Sequence, residues 1–221
     1  MRAWTFERRG ALAGLAFIGL SLIGDLSSGS PPGTDDSAAK IASFFENHHR
    51  GVIVSVVLTG IAGPFFIWFL AALVLRIRAA GETAWAVAAF GLALAALAAG
   101  FAADAFYGSL ARIATYSDKS LARSVYQLDG FFTVKSFWFA AGAVLAVAIA
   151  ARRALPRWYA LISLAAAVVC ALGGIAVKQT GFLAPLGGLT EIAFIGLLVW
   201  IVASVVLLWR APESGLAAGA A

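Results

Sequence analysis

Residues 51–75, GVIVSVVLTGIAGPFFIWFLAALVL, run without a charged side chain and end on Arg76-Ile77-Arg78. About 20 apolar residues make a helix long enough to cross the hydrocarbon core of a bilayer, and basic residues closing such a run mark its cytoplasmic end. Five further stretches read the same way, over residues 10–27, 83–103, 131–151, 158–177 and 188–209. No charge lies near the middle of any of them. The pattern predicts an all-α membrane protein, a six-transmembrane-helix bundle forming a single integral membrane domain over residues 1–221.

Composition points the same way. The chain is 62% hydrophobic and 12% charged, with a mean hydropathy of +0.93, whereas a soluble domain is roughly half apolar and about a quarter charged. A net charge of +5 would suggest nucleic acid in a soluble protein, but here the basic residues sit at the ends of apolar runs and read as a topology signal. Cys170, the lone cysteine, falls inside the run LAAAVVCALGG. Neither an intramolecular disulfide nor a thiolate metal cluster can form from it.

Orientation follows from the connections. One set of ends holds Arg2, Arg8, Arg9, Arg76, Arg78, Arg152, Arg153, Arg157 and Arg210 against Glu7, Glu82 and Glu213; the other set is balanced between seven basic and eight acidic side chains. The positive-inside rule then predicts both termini in the cytoplasm and a plasma-membrane location. Trp4, Trp85, Trp158 and Trp209 fall near the same proposed inner surface, where an indole anchors well. The basic start followed by ALAGLAFIGLSLI also has the outline of a secretory signal, but no small-residue cleavage pattern follows it. Retention as a first span is the expectation.

Two longer outer connections are expected, at about 28–50 and about 104–130. In PPGTDDSAAKIASFFENHHRG, Thr34 is a candidate cap for a helix whose first turn carries Asp35 and Asp36, with Ile41, Phe44, Phe45 and His48 along one face. This predicts an outer interfacial helix leading into the second span. In the other connection Leu121, Val125, Leu128 and Phe132 recur at helical spacing after Ser117 and Asp118, so the fourth span is expected to begin as a helix above the membrane. The last outer connection, KQTGFLAPLGGLTE, reads as a tight surface turn, with a dip into the bilayer as the alternative.

The run GTDDSAAKIASFFENHHRGVIVSVVLTGIAGPFFIWFLAALVLRIRAAG, with the basic turn and PRW over residues 152–158, resembles a group of small bacterial polytopic integral membrane proteins of uncharacterised function. The resemblance implies the fold and carries no activity, cofactor or site residue with it.

Chemistry-bearing motifs are sparse. No phosphate-binding loop, dinucleotide fingerprint, HExxH helix or GxSxG elbow occurs. His48 and His49 are adjacent, so their side chains diverge by roughly 100° on a helix. They could join Glu46 or Asp35 on a metal or sense pH, but a wet helix junction is the plainer reading, and no cofactor or metal is expected. Gly60, Gly63 and Pro64 could kink the second span, and Gly173 and Gly174 suit close helix packing. The remaining candidate is a polar cluster in the outer halves of the helices. Asp25, Lys135 and Glu191 would be its centre, if the first, fourth and sixth helices are neighbours, and Asp104, Asp129 and Lys178 its mouth. The alternative is that Lys135 snorkels to the headgroups on its flexible stem and the acids cap helix ends.

Function is accordingly expected to be that of an accessory or structural membrane component without catalysis. A small-molecule or lipid transporter or binding protein with an outward-facing polar cluster ranks second, and a membrane enzyme using Asp25, Asp104 or Glu191 third. The lipid bilayer is the expected partner, with a protein partner or a second copy possible and nucleic acid excluded.

Overall fold

The computed structural model describes residues 5–113, 119–178 and 181–210. Six helices make up the fold: α1 Phe6–Ser28, α2 Ala38–Ala79, α3 Thr83–Ile113, α4 Lys119–Ala154, α5 Arg157–Gly174 and α6 Gly188–Trp209, with a short 3-10 turn at Gly181–Leu183. All six are long and apolar enough to cross a membrane. The chain is a multi-pass α-helical membrane protein, and its outward surface agrees. Leu15, Ile23, Val57, Ile61, Leu161, Val168, Ile195 and Val199 are all exposed, an apolar coat that only lipid tolerates.

Each helix packs on the next, and α6 returns to α1 to close the ring; α2 also reaches α4 and α6. Small residues set these approaches. A Cβ at Gly10 would collide with the Cβ of Ala72, one at Gly14 would lie 2.8 Å from Phe69 and Val205, and one at Gly24 3.2 Å from the Ser55 carbonyl. Between lipid-facing helices apolar burial gives no net drive, so close backbone contact through Gly and Ala supplies the attraction. Gly173 against Ala193 and Gly174 against Trp138 follow the same rule. Pro64 is exposed and Gly60 meets no neighbour. The backbone leaves helical geometry inside α2 at His48 instead, with φ −113° and ψ 15°.

The ends of the bundle differ. At one end Arg76 reaches Glu7 (3.5 Å) and Arg153 reaches Glu82 (3.7 Å), joining α1 to α2 and α4 to the α2–α3 turn. At the other end α2, α3 and α4 are too long for a bilayer. A 42-residue helix spans about 63 Å against a hydrocarbon core of about 30 Å. Their excess lies at this second end and forms a cap with its own core of Ile41, Phe45, Val52, Leu110, Ala122 and Tyr126.

Several expected boundaries shift accordingly. The stretches at 28–50 and 104–130 are largely helical: α1 runs to Ser28, ended by Gly29 at φ 79°, and the connection is only residues 29–37. Ser117 and Asp118 lie outside the described residues. Ser37, not Thr34, caps α2, accepting from the Lys40 amide. Thr34 is pulled away because its hydroxyl donates to the Pro185 carbonyl across the cap. Asp35 and Asp36 therefore precede the helix. The outer helix is the first three turns of α2, its Ile41 and Phe45 buried in the cap core rather than laid on lipid. In the last connection residues 181–187 are seated on that cap, with Ala184 and Pro185 buried and Pro185 against Gly130.

Candidate functional site

The six predicted site residues separate into two groups. Asp25, Lys135, Lys178 and Glu191 are exposed, Asp104 is half-buried, and Asp129 is only 5% exposed. No ion pair joins any two of them among the described residues. The expected centre is thus not joined by ion pairs. The main packing partners of α1 are α2 and α6, whereas α4 packs on α3, α5 and α2. Lys135 is exposed, with the exposed Phe131, Phe132, Trp138 and Phe139 one turn before and after it on α4. An ammonium on a flexible stem inside an aromatic belt suits a headgroup boundary.

The other two acids stand level with each other, in the cap. Asp104 lies nine residues before the end of α3 and Asp129 ten residues after the start of α4. In an antiparallel pair such positions are level. Tyr107 and Tyr126 lie six before and seven after the same ends, so they are level too. The segments Asp104-Ala-Phe-Tyr107 and Tyr126-Gln-Leu-Asp129 are mirror images, each placing an acid and a phenol three positions apart on one helix face. Phe45 from α2 fills the space between the phenols, edge-on to Tyr107 at 5.2 Å and to Tyr126 at 5.5 Å between ring centres.

The two halves of this mirror are bonded differently. The Tyr126 hydroxyl donates to the Pro32 carbonyl at 2.6 Å. The Tyr107 hydroxyl is buried with no partner within hydrogen-bond distance, although Ser28 and the carboxyls of Asp25, Asp104 and Asp129 stand around it. Thr59 of α2 stands beside Asp104, its own hydroxyl turned to the Ser55 and Val56 carbonyls. Asp129 makes no hydrogen bond or ion pair with any described residue and stands level with Asp104. Leaving buried polar groups unpaired is costly, so such a group in a well-packed protein needs a reason.

Tyr107 and Tyr126 are not singled out by the sequence, and Phe45 stands out only as part of an apolar helix face. The signal was present as the mirror D-x-x-Y and Y-x-x-D, readable only once α3 and α4 are known to be a level antiparallel pair. A second buried network lies between α5 and α6. Tyr159 Oη and Ser204 Oγ are 2.8 Å apart, Ser204 donates to the Trp200 carbonyl, and Trp200 Nε1 donates to Ser163. Every member has a partner, which makes it a structural tie.

His48 and His49 lie at the bend of α2. His48 stacks on Phe44 at 4.5 Å and bonds the Phe44 carbonyl; His49 bonds the Glu46 carbonyl. Together with Ser27, Asn47 and Arg50 they line a shallow groove. No group of three His, Cys, Asp or Glu side chains placed to hold a metal ion occurs among the described residues.

No family model, curated protein or solved structure matches the chain.

Proposed function

We propose that the protein is a non-enzymatic component of the plasma membrane, both termini cytoplasmic and the cap outside, that works by association through the cap. The observation that carries this reading is the length of α2, α3 and α4 and the separate core they build beyond the bundle. Crossing a bilayer needs about 20 residues per helix. Ordering a further three helical arms costs conformational entropy that a mere membrane anchor has no need to spend. The inner half supports the same reading, because Ala and Gly close it from the arginine end upward: Ala72, Ala86, Ala150 and Ala151 are fully buried.

Two measurements test it. Cysteine at Ser37 is expected to react with an impermeant maleimide in intact cells, and cysteine at Ala80 is not; the reverse pattern overturns the orientation. Photo-crosslinking residues at Ser124 and Gln127, both exposed on the cap, are expected to give discrete adducts in native membranes, a doubled mass marking a second copy. Absence of adducts there, together with solute flux by the purified protein in liposomes, overturns association in favour of transport. That second reading has its own support in the unpartnered Asp129 and Tyr107 hydroxyl of the cap.

A further inference from the structure

Where α2 leaves the membrane, the end of α1 and the bend of α2 enclose a basic groove lined by Ser27, Asn47, His48, His49, Arg50 and Gly51. Helix length fixes its level. Arg9 and Ser27 of α1 are eighteen residues apart, about 27 Å along a helix, and the hydrocarbon core is about 30 Å thick. Arg50 is the last charged residue before the uncharged run 51–75 of α2. The groove therefore sits at headgroup depth. The side chains that lead from it into the bilayer, Ile23 and Leu26 on α1 and Ile53, Val54 and Val57 on α2, are exposed and apolar.

Local structure shapes the groove. Gly51 lets the two helices touch, because a Cβ there would collide with the Ser27 carbonyl. Gly29, left-handed at φ 79°, turns the chain against the His48 ring, where an added Cβ would come within 3.4 Å of Cδ2. Phe44 stacks on the same ring. Adjacent side chains diverge by roughly 100° on a straight helix, yet both imidazoles line this one groove, at the point where α2 bends. Each spends Nδ1–H on a carbonyl of its own helix, His48 on Phe44 at 3.0 Å and His49 on Glu46 at 3.2 Å. That leaves both Nε2 atoms without a partner among the described residues, and each becomes a donor in the imidazolium form.

We propose that this groove binds the phosphate of an anionic phospholipid, held by the Arg50 guanidinium and the two imidazoles, with the acyl chains lying over Ile23, Leu26, Ile53, Val54 and Val57. Arg50 makes no ion pair or hydrogen bond with any described residue, although Glu46 lies four positions before it on the same helix. No carboxyl lines the groove, so its charge calls for an anion. The space, about 200 Å³, is below the roughly 300–1,000 Å³ of a site for a drug-sized molecule and suits a compact group whose tails lie outside. A guanidinium fork matches two phosphate oxygens at once, and at headgroup depth phosphate is the anion that the bilayer itself presents. This reading is separate from association through the cap and holds whichever side the cap faces.

The test is native mass spectrometry of the full chain in detergent, titrated with phosphatidylglycerol, with phosphatidylcholine, or with inorganic phosphate. One phosphatidylglycerol is expected to stay bound, more tightly than phosphatidylcholine, and Arg50→Gln to weaken it about tenfold or more. Arg123→Gln, which removes an exposed charge of the cap at the same end, is expected to leave binding unchanged. Equal weakening by the two variants marks diffuse attraction and overturns the proposal, as does a wild-type chain that retains no lipid. Displacement of the lipid by millimolar inorganic phosphate would make the ligand a free anion and overturn the lipid assignment. Phosphatidylglycerol with a photoreactive acyl chain places the ligand without any variant. Adducts are expected at residues 23–26 and 53–57, and adducts spread evenly over the six helices overturn the proposal.

Discussion

The inner bundle and the cap are built from the same helices but held by different forces. In the bundle, the buried core is rich in Ala: Ala11, Ala13, Ala72, Ala89, Ala143, Ala146, Ala150 and Ala167 bring backbones together around a smaller set of large side chains such as Phe69, Leu73, Tyr159 and Ile201. In the cap, Phe45, Tyr126, Ile41 and Leu110 are fully buried, and aromatic edges meet aromatic faces. The difference follows the solvent. Lipid tails are as apolar as leucine, so a bundle in lipid gains from close contact rather than from hiding hydrocarbon. A cap in water gains from hiding it, and aromatic rings hide the most.

That contrast can be broken from either side. The largest effect is expected in the cap, from Phe45→Ala, which removes a fully buried ring lying between two tyrosines. A loss of about 3–5 kcal/mol is expected for such a truncation, and hydrogen exchange should speed up in the first turns of α2 and the facing ends of α3 and α4. Faster exchange spread equally through the inner bundle would show that the cap is not a separate unit. Gly10→Val tests the other side, because its Cβ would collide with Ala72. About 1–3 kcal/mol is expected from overpacking, read as lowered thermal stability in lipid; an unchanged midpoint would show that α1 can stand off α2. Ser204→Ala leaves the buried Tyr159 hydroxyl without its 2.8 Å partner, for an expected cost of about 1–3 kcal/mol confined to α5 and α6.

The smallest effect belongs to Asp36. Its hydrogen bond with Lys40, helped by the Gly33 amide, holds the carboxyl below its ordinary value of 3.8. A depressed acid stabilises the fold above its unfolded value and loses that contribution as pH falls through the folded one. Asp36→Asn should therefore leave the neutral-pH midpoint almost unchanged, because the pair is at the surface, and reduce the difference between wild type and variant to nothing in strong acid. A large loss at neutral pH would show that the 29–37 connection bears more of the cap than its exposure suggests.

The number of helices, their approximate spans and the concentration of arginine at one end were legible because a bilayer demands runs of about 20 apolar residues, and that demand is written residue by residue. The cap was half legible: the apolar positions around Ile41 and Phe45 announced a helix, but not that α2 would run on through it with a bend at His48. The site was least so. Charge and depth grouped Asp25 with Lys135 and Glu191, whereas no ion pair joins them among the described residues and the antiparallel α3–α4 pair sets Asp104 level with Asp129.

The face of α4 shows where the division falls. Leu121, Leu128 and Phe132 share a side at helical spacing, and the structure turns that side outward, burying Ala122, Tyr126, Asp129 and Gly130 instead. Periodicity says which residues share a face, since it follows from 3.6 residues per turn. It does not say which face turns inward when apolar side chains lie on both sides of the helix, because only the neighbours from α2 and α3 choose between them. The sequence alone thus determined that the chain crosses a membrane six times. Only the packing of α4 against α2 and α3 decided that its small and polar face is the inner one, and with it that Asp129 is buried.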